Sequence, residues 1–418
     1  MKRFVQFLGA ATLLLSFTQC SEDATTDSAP SVQGSVKLTA SINETRTELS
    51  GNDVLWKSND RLGLFCGTKF VNAPFTTTTG GTTSADFTGD PTDPSGSEAE
   101  VFYAYYPYSA HAVLEGSVVS GLSIPAVQTF ATKSFATELC PMATSGADYS
   151  RLAFRTIGTV LKFQVTGQKN VTKIELTGND GEALAGDYTI DFVGETPEMK
   201  FSGTETTLTL TCSEPVALND ASATEFYFVL PAGVEFTKGI TVKVYTDDNA
   251  EPMVKEYASP LTTRPNKLVT VKAFTYSVPV TSIEEANEAL SKGTSGVTIT
   301  STTDLTAPST LEIPNAFGHG TSTSVEIEQP VSTDLTISEK TTSDKELPET
   351  LSVEMETTAS LIVDTPNLTV SLEGTYTTVE ATTAENTLIV AKNTVIETLT
   401  VKKGNVKIYG TVGEIVNE

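Results

Sequence analysis

Apolar and polar residues alternate in the first ordered segment of the chain. Val36, Leu38 and Ala40 alternate with Lys37 and Thr39, which is typical of a strand with one face on a core and the other in solvent. Short apolar bursts rich in Val, Ile, Phe and Tyr recur further along the chain, separated by Gly, Asn, Asp and Pro. Because no long helical pattern interrupts these bursts, they predict an all-β protein built from β-sandwiches.

The pattern changes after Pro279. Ser282 and Glu285 have the spacing of a capping box and predict one short helix, which Gly293 would stop. Beyond the helix, aromatic residues become rare and pairs of aliphatic residues two positions apart take over. These pairs are Leu351/Val353, Leu361/Val363, Leu368/Val370, Leu388/Val390, Leu399/Val401 and Val406/Ile408.

Repeated short strands with small inward aliphatic side chains are typical of a parallel β-solenoid, in which each rung stacks on the next. The short helix is then expected to cap the first rung. The spacing of the aliphatic pairs is irregular, so a further β-sandwich is the alternative for this part of the chain.

The patterns together divide the chain into five segments. They are a lipoprotein signal peptide over 1–19, a flexible tether over 20–34, a β-sandwich over 35–148, a second β-sandwich over 149–276, and a Thr-rich β-solenoid-like domain over 277–418. The tether is assigned because Ser, Thr, Asp, Glu, Ala and Pro dominate it. Within the first sandwich, the low-complexity residues Thr76 to Asp93 are expected to form a loop around Phe87.

The amino-terminal segment has the features of a secretion signal. Lys2 and Arg3 precede an apolar run from Phe4 to Phe17, which is too short to remain as a transmembrane helix. Cys20 lies at the end of this run, where a lipoprotein carries its lipid-modified cysteine. We therefore expect acyl chains such as palmitate on Cys20 to attach the protein to the outer membrane.

The residues after this cysteine bear on which side of the membrane the protein faces. Ser21, Glu22 and Asp23 resemble the acidic tag that sends lipoproteins of the Bacteroidota to the cell surface. The alternative is that these residues only begin a solvated linker.

Charge and cysteine content limit the classes of function that the protein can have. The formal charge of −25 becomes −27 when the signal peptide and its two basic residues are removed. With this excess of acidic residues the chain has no basic stripe, which argues against a nucleic-acid partner. Cys66, Cys140 and Cys212 are odd in number and irregular in spacing, so they predict neither a disulfide framework nor a metal site. Each is expected to be a small buried apolar side chain.

Catalytic motifs are missing from the sequence. His111 and His319 lie far apart in Ser, Gly and Ala surroundings, and neither has the neighbours of a catalytic triad. Phosphate-binding loops, HExxH and EF-hand spacings do not occur. The sequence therefore predicts a protein that is not an enzyme and needs no cofactor or metal.

Several short motifs in order carry a family resemblance. Thr45-Arg46-Thr47, Trp56 and Asp60 to Phe65 are similar to the opening of the fimbrillin-like family of the Bacteroidota, the surface lipoproteins that include major and minor fimbrial subunits. Further matching pieces are Ala104-Tyr105-Tyr106-Pro107-Tyr108, Pro141-Met142-Ala143, Ile174-Glu175-Leu176 and Ala185-Gly186. The resemblance covers residues 35 to 276 and implies two transthyretin-like β-sandwich domains in tandem.

The resemblance also implies a route of assembly. In the true pilins of this family, an arginine-specific protease cuts after the first strand, and a strand from a neighbouring subunit fills the groove that is left. Arg46 matches the cut position, so the mature chain would begin at Thr47. The alternative is that Arg46 is a surface residue of an uncut turn.

Two functions follow from these expectations. The first is a fimbrium-associated structural or adhesive lipoprotein, a tip or accessory subunit whose partners are other fimbrial subunits. The second is a stand-alone lipoprotein of the outer-membrane surface that binds a glycan or host ligand without polymerising. Trp56 is the single tryptophan and lies in a strand-like segment, so an aromatic glycan platform is unsupported and the first function is favoured.

Overall fold

The computed structural model describes residues 35–42, 54–136, 139–248, 251–301, 305–318, 320–341 and 345–417, with 383–386 described for the backbone only. Residues 35–418 form one compact unit. The described part contains one helix and is otherwise strands and their connections, which confirms the all-β prediction. Within the described ranges, that helix is too short to cross a membrane.

The strands follow one another with short connections. The amino-terminal part contains β1 (Val36–Ile42), β2 (Arg61–Cys66), β3 (Phe70–Thr77), β4 (Ser84–Gly89), β5 (Phe102–Tyr106), β6 (Val113–Glu115), β7 (Val118–Ile124), β8 (Val127–Ala131), β9 (Ser134–Phe135), β10 (Met142–Gly146) and β11 (Arg151–Thr156). The middle part contains β12 (Thr159–Thr166), β13 (Asn170–Gly178), β14 (Gly186–Asp191), β15 (Glu198–Phe201), β16 (Thr207–Ala217), β17 (Thr224–Leu230), β18 (Glu235–Phe236), β19 (Ile240–Thr246), β20 (Met253–Tyr257), β21 (Leu261–Thr262), β22 (Lys267–Thr270) and β23 (Phe274–Thr275). The carboxyl-terminal part contains β24 (Val278–Val280), α1 (Ile283–Ser291), β25 (Val297–Ile299), β26 (Ser309–Pro314), β27 (Thr323–Ile327), β28 (Leu335–Lys340), β29 (Thr350–Asp364), β30 (Thr369–Val390), β31 (Val395–Ile408) and β32 (Thr411–Asn417).

Seven amino-terminal strands close into a barrel in the order β1-β11-β10-β5-β2-β3-β4. The barrel closes because β1 pairs with β11 in parallel and with β4 in antiparallel orientation. Its core is aromatic; the largest buried side chains are Trp56, Tyr106, Phe70, Phe75, Phe87 and Phe154. The main sheet of the first predicted sandwich is thus closed on itself, with β11 supplied from beyond residue 148. Alternation along one strand cannot predict this, because closure depends on which distant strands meet.

The stretch expected to be a loop contains a strand. β4 lies inside residues 76–93, with Ala85 and Phe87 buried and Ser84 and Asp86 exposed. The expectation of a loop was wrong because two inward residues suffice for this strand, and the surrounding Thr, Gly and Asp obscured their alternation.

The middle strands form further sheets that reach back into the amino-terminal part. The larger ones have the orders β17-β12-β22, β20-β19-β13-β16-β8-β9 and β15-β14-β7-β6. β7 pairs with β14, and β8 pairs with β16, so strand pairing crosses the predicted boundary between residues 148 and 149. Residues on both sides of that boundary share sheets.

The carboxyl-terminal part is a parallel β-solenoid. Every pairing from β24 to β32 is parallel, which confirms the solenoid and excludes the alternative of a further antiparallel sandwich. Aliphatic side chains stack in columns, one of which runs through Val297, Val325, Val353 and Leu372. The predicted pairs at 351–353 and 361–363 lie on one long strand, β29, which carries them on two successive faces of a rung.

Helix α1 forms the expected cap. Ser282 Oγ accepts a hydrogen bond from Glu285 N at 3.2 Å, and Glu285 Oε2 accepts one from Thr281 N at 2.7 Å. Two helix residues, Ala286 and Leu290, are buried in the solenoid core. The capping-box prediction is therefore confirmed, with the carboxylate reaching the residue before the N-cap.

Candidate functional site

The residues that the sequence singled out for processing lie outside the described ranges. These are Cys20, predicted to be lipidated, Ser21, Glu22 and Asp23, predicted to form an export tag, and Arg46 and Thr47, predicted to flank a maturation cut. The strand that precedes the maturation residues is described, because β1 ends at Ile42, four residues before Arg46. The candidate site is therefore the space that β1 fills between β4 and β11, here called the β1 slot.

Hydrogen bonds hold β1 on both sides. It pairs with β4 from Val36 to Ser41 and with β11 from Thr39 to Ile42. Two further backbone bonds extend the pairing, from Thr39 N to Ser150 O at 2.9 Å and from Ile42 N to Thr83 O at 2.8 Å. Without a strand in the slot, β4 and β11 would each present a row of unpaired backbone groups.

The inward face of β1 completes the barrel core. Leu38, Ala40 and Ile42 are buried. Leu38 lies beside Phe87 of β4, and Ile42 lies beside Phe154 of β11. A strand in the slot therefore supplies apolar side chains to the core as well as backbone hydrogen bonds.

Trp56 lies directly against β1. Its Nε1 donates a hydrogen bond to the carbonyl oxygen of Ala40 at 3.1 Å. Its ring meets Phe87, Tyr106 and Phe154 edge-on, with centroids 5.0, 5.3 and 5.7 Å away. The sequence placed Trp56 in a strand-like segment but gave no sign of this contact, since the two residues meet only through the closure of the barrel. With 1% of its surface exposed, the indole serves as packing against the slot and is not a platform for a ligand.

The outward face of β1 is held by Asp86. Lys37 Nζ lies 2.8 Å from Asp86 Oδ2, and Thr39 Oγ1 donates to Asp86 Oδ1 at 2.9 Å. Hydrogen bonds from Lys37 and then Thr39 lower the pKa of Asp86. Ser35 Oγ donates to Asp90 Oδ1 at 2.8 Å. Sequence reasoning missed Asp86 because it lies in the stretch interpreted as a loop.

Other chemistry-bearing residues are dispersed. Cys66 and Cys140 are buried, as predicted, whereas Cys212 is half-buried and burial raises its pKa to about 11. Over the ranges that the structure describes, no group of three or more His, Cys, Asp and Glu residues could hold a metal ion. His111 is exposed, and His319 lies outside those ranges.

No family model and no curated protein sequence matches the chain. Among solved structures, it is similar to two candidate cell adhesion proteins. The one from Bacteroides uniformis is 14% identical, with a TM-score of 0.34 and coverage of 58% of this chain and 94% of that chain. The one from Bacteroides fragilis is 12% identical, with a TM-score of 0.33 and coverage of 59% and 94%.

A third similar structure is the C-terminally truncated tip fimbrial protein Mfa3 from Porphyromonas gingivalis. It is 12% identical, with a TM-score of 0.24 and coverage of 55% of this chain and 83% of that chain. At these low scores, function has to be argued from the β1 slot.

Proposed function

We propose that the chain is a cell-surface adhesion or fimbrial protein of tip or accessory type, which assembles by β-strand donation. In this proposal a protease cuts after Arg46, β1 leaves its slot, and a strand from another fimbrial subunit takes its place. One observation carries the proposal. The seven residues of β1 are paired on both sides, and the strand ends just before the only Arg of the segment that follows it.

The free energies of side-chain burial and hydrogen bonding favour a slot that is refilled by another strand over a slot that stays empty. Burying side chains such as Leu38 and Ile42 stabilises a fold by about 1.5–3 kcal/mol each. Each backbone hydrogen bond adds roughly 0.5–1.5 kcal/mol. A barrel that has lost β1 therefore gains several kcal/mol when an external strand restores these contacts, and this gain is available to hold two subunits together.

The amino-terminal segment is part of the same proposal. Lipid on Cys20 would hold the precursor at the outer membrane, with Ser21, Glu22 and Asp23 directing it to the outer surface. Cleavage after Arg46 would then detach the chain from this anchor as it enters a fimbrium. The solenoid follows the two sandwich-like parts and suits a tip or accessory subunit better than a repeating stalk subunit.

The test is electrophoresis of surface material from the producing cells, unheated and boiled in detergent, with amino-terminal sequencing of each band. We expect a ladder that collapses on boiling to a band beginning at Thr47. An Arg46→Ala variant is the matched control and should give one band without a ladder. If the unaltered protein gives a single band near full length, still blocked by lipid at Cys20, strand donation is wrong. A stand-alone surface lipoprotein that binds a glycan or host ligand would then remain.

A further inference from the structure

Along the inner face of the β1 slot, the neighbouring side chains differ in size. At its two ends, Leu38 and Ile42 lie beside the large rings of Phe87 and Phe154. Between them, Ala40 has no exposed surface and pairs with Ala85 on one side and Leu152 on the other. A strand that enters the slot must therefore match a fixed order of large and small positions.

We propose that the β1 slot selects its incoming strand by this order of side chains. The partner is an extended strand of another subunit that carries, in sequence, a cationic residue, an aliphatic residue, a polar residue, alanine or glycine, a polar residue and a β-branched aliphatic residue. Lys37 to Ile42 has this pattern and runs antiparallel to β4. The inference rests on the proposed function, since it specifies the partner of the same slot.

Trp56 helps to restrict the position of Ala40 to a small side chain. Its indole is hydrogen-bonded to the carbonyl oxygen of Ala40 and is enclosed by Phe87, Tyr106 and Phe154. Ala40 and Trp56 belong to the same buried core, so a side chain larger than alanine at this position would have to enter a core that the indole and the three rings around it already fill. Overfilling a packed core in this way is unfavourable because neighbouring side chains are forced from their preferred rotamers.

Asp86 gives a weaker preference at the other end of the pattern. It lies on the slot's outer rim and contacts both Lys37 and Thr39 of β1. Because this pair is exposed to solvent, it contributes less than core packing. On a chain with a net charge of −25, a cation at the position of Lys37, diagonal to Asp86 across the two strands, still favours one register of the incoming strand, and an acidic residue there is repelled.

The experiment uses the full chain, cut at Arg46 by an arginine-specific protease, with β1 still seated in its slot. Synthetic peptides with the sequence of residues 35–42 compete for the slot, and native mass spectrometry measures the fraction of each that is bound. We expect the Ala40→Gly peptide to bind within a few-fold of the original peptide and the Ala40→Leu peptide to bind about tenfold or more weakly. The Lys37→Glu peptide should bind a few-fold more weakly. Uncut chain is the control for entry, because its own β1 stays tethered.

A compensating change in the protein sharpens the test. In a Trp56→Leu variant the core that contains position 40 is less filled, so the Ala40→Leu peptide should regain most of its lost binding. If this variant does not fold, the comparison of the Ala40→Gly and Ala40→Leu peptides on the unaltered protein still decides the matter. Equal binding of these two peptides overturns the selection rule but leaves strand donation standing. Failure of every peptide to enter the cut chain overturns strand donation itself, and the selection rule with it.

Discussion

At the scale of single residues, Asn287 shows how the solenoid protects the edge where its rungs begin. Its side-chain amide donates from Nδ2 to Thr310 O at 3.1 Å, and its Oδ1 accepts from Glu312 N at 2.8 Å. One helix residue thus satisfies two backbone groups of β26 on the side that faces α1. An open strand edge invites pairing with other chains, so this amide takes the place of a further strand.

Replacing this side chain should destabilise the solenoid measurably. Asn287→Ala leaves two backbone groups of β26 without their partner, and the free energy of unfolding should fall by about 1–3 kcal/mol. Thermal or denaturant unfolding followed by circular dichroism measures the change. Glu288→Ala, one position along the same helix, removes only an exposed pair with Lys292 and should change the stability by less than about 0.5 kcal/mol. Equal effects of the two variants would contradict this role for Asn287.

At the scale of elements, a charged pair joins β27 of the solenoid to β20 of the middle part. Glu326 Oε1 lies 3.8 Å from Lys255 Nζ. Along the parallel strands, Glu326 is paired with Thr298 on one side and Glu354 on the other, and Glu373 follows Glu354. Lys255 and Lys272 therefore line one cleft with a column of carboxylates.

This arrangement makes the contact depend on pH. Burial raises the pKa of Glu326 above its usual value of 4.5, with Lys255 opposing the shift and the charges of Glu354 and Glu328 adding to it. Burial likewise raises the pKa of Glu328. A carboxyl group with a raised pKa in the folded state binds its proton more tightly there than in the unfolded chain. The folded state should therefore become more stable relative to the unfolded chain as the pH falls through the raised pKa of Glu326, and the gain should level off below about 4.5.

Hydrogen exchange can test this expectation locally. Amides of β20 and β27 should become better protected as the pH is lowered, after correction for the intrinsic exchange rate. Glu326→Gln should give stronger protection at neutral pH and a smaller pH dependence. Glu397→Gln makes the same charge change at an exposed position of β31 and serves as the control. An undiminished pH dependence in the Glu326→Gln protein would show that this carboxyl is not responsible.

The elements also show what the sequence could and could not predict. β1, α1 and the rungs of the solenoid were predictable because each has a local signal: alternation, a capping box or recurring aliphatic pairs. β4 and the closure of the barrel were not, since β4 has only two inward residues and closure depends on partners more than a hundred residues apart, such as Ala40 and Leu152. The same limit applies to the site. The strand β1 could be picked out from its alternation, whereas Trp56 and Asp86 became part of the site only through tertiary contacts.

At the scale of the whole molecule, Gln128 joins the amino-terminal and middle parts. This residue of β8 is 2% exposed. Its Nε2 donates to Val229 O at 2.7 Å, and Val229 N donates to its Oε1 at 2.9 Å. A side chain from one side of the predicted boundary thus satisfies the backbone N–H and C=O of Val229, in β17 on the other side. We infer that the two parts unfold together.

Removing the side-chain amide of Gln128 should destabilise the amino-terminal and middle parts together. Gln128→Ala leaves a buried N–H and C=O without partners, which should lower the free energy of unfolding by about 2 kcal/mol or more. Calorimetry should show one transition for the amino-terminal and middle parts in the unaltered protein, at a lower temperature in the variant. Thr129→Ala, at the adjacent exposed position, should leave the transition nearly unchanged. Two well-separated transitions in the unaltered protein would contradict the shared-sheet arrangement.

The position of the single tryptophan allows the proposed strand exchange to be followed by fluorescence. A buried indole surrounded by rings emits light at shorter wavelength than one in water, and Trp56 has its buried surface against the strand that the proposed assembly exchanges. Departure of β1 should shift its emission to the red, and arrival of a donor strand should shift it back. Since no second tryptophan contributes, the intrinsic fluorescence of the unlabelled chain can report in real time whether the slot is empty or filled.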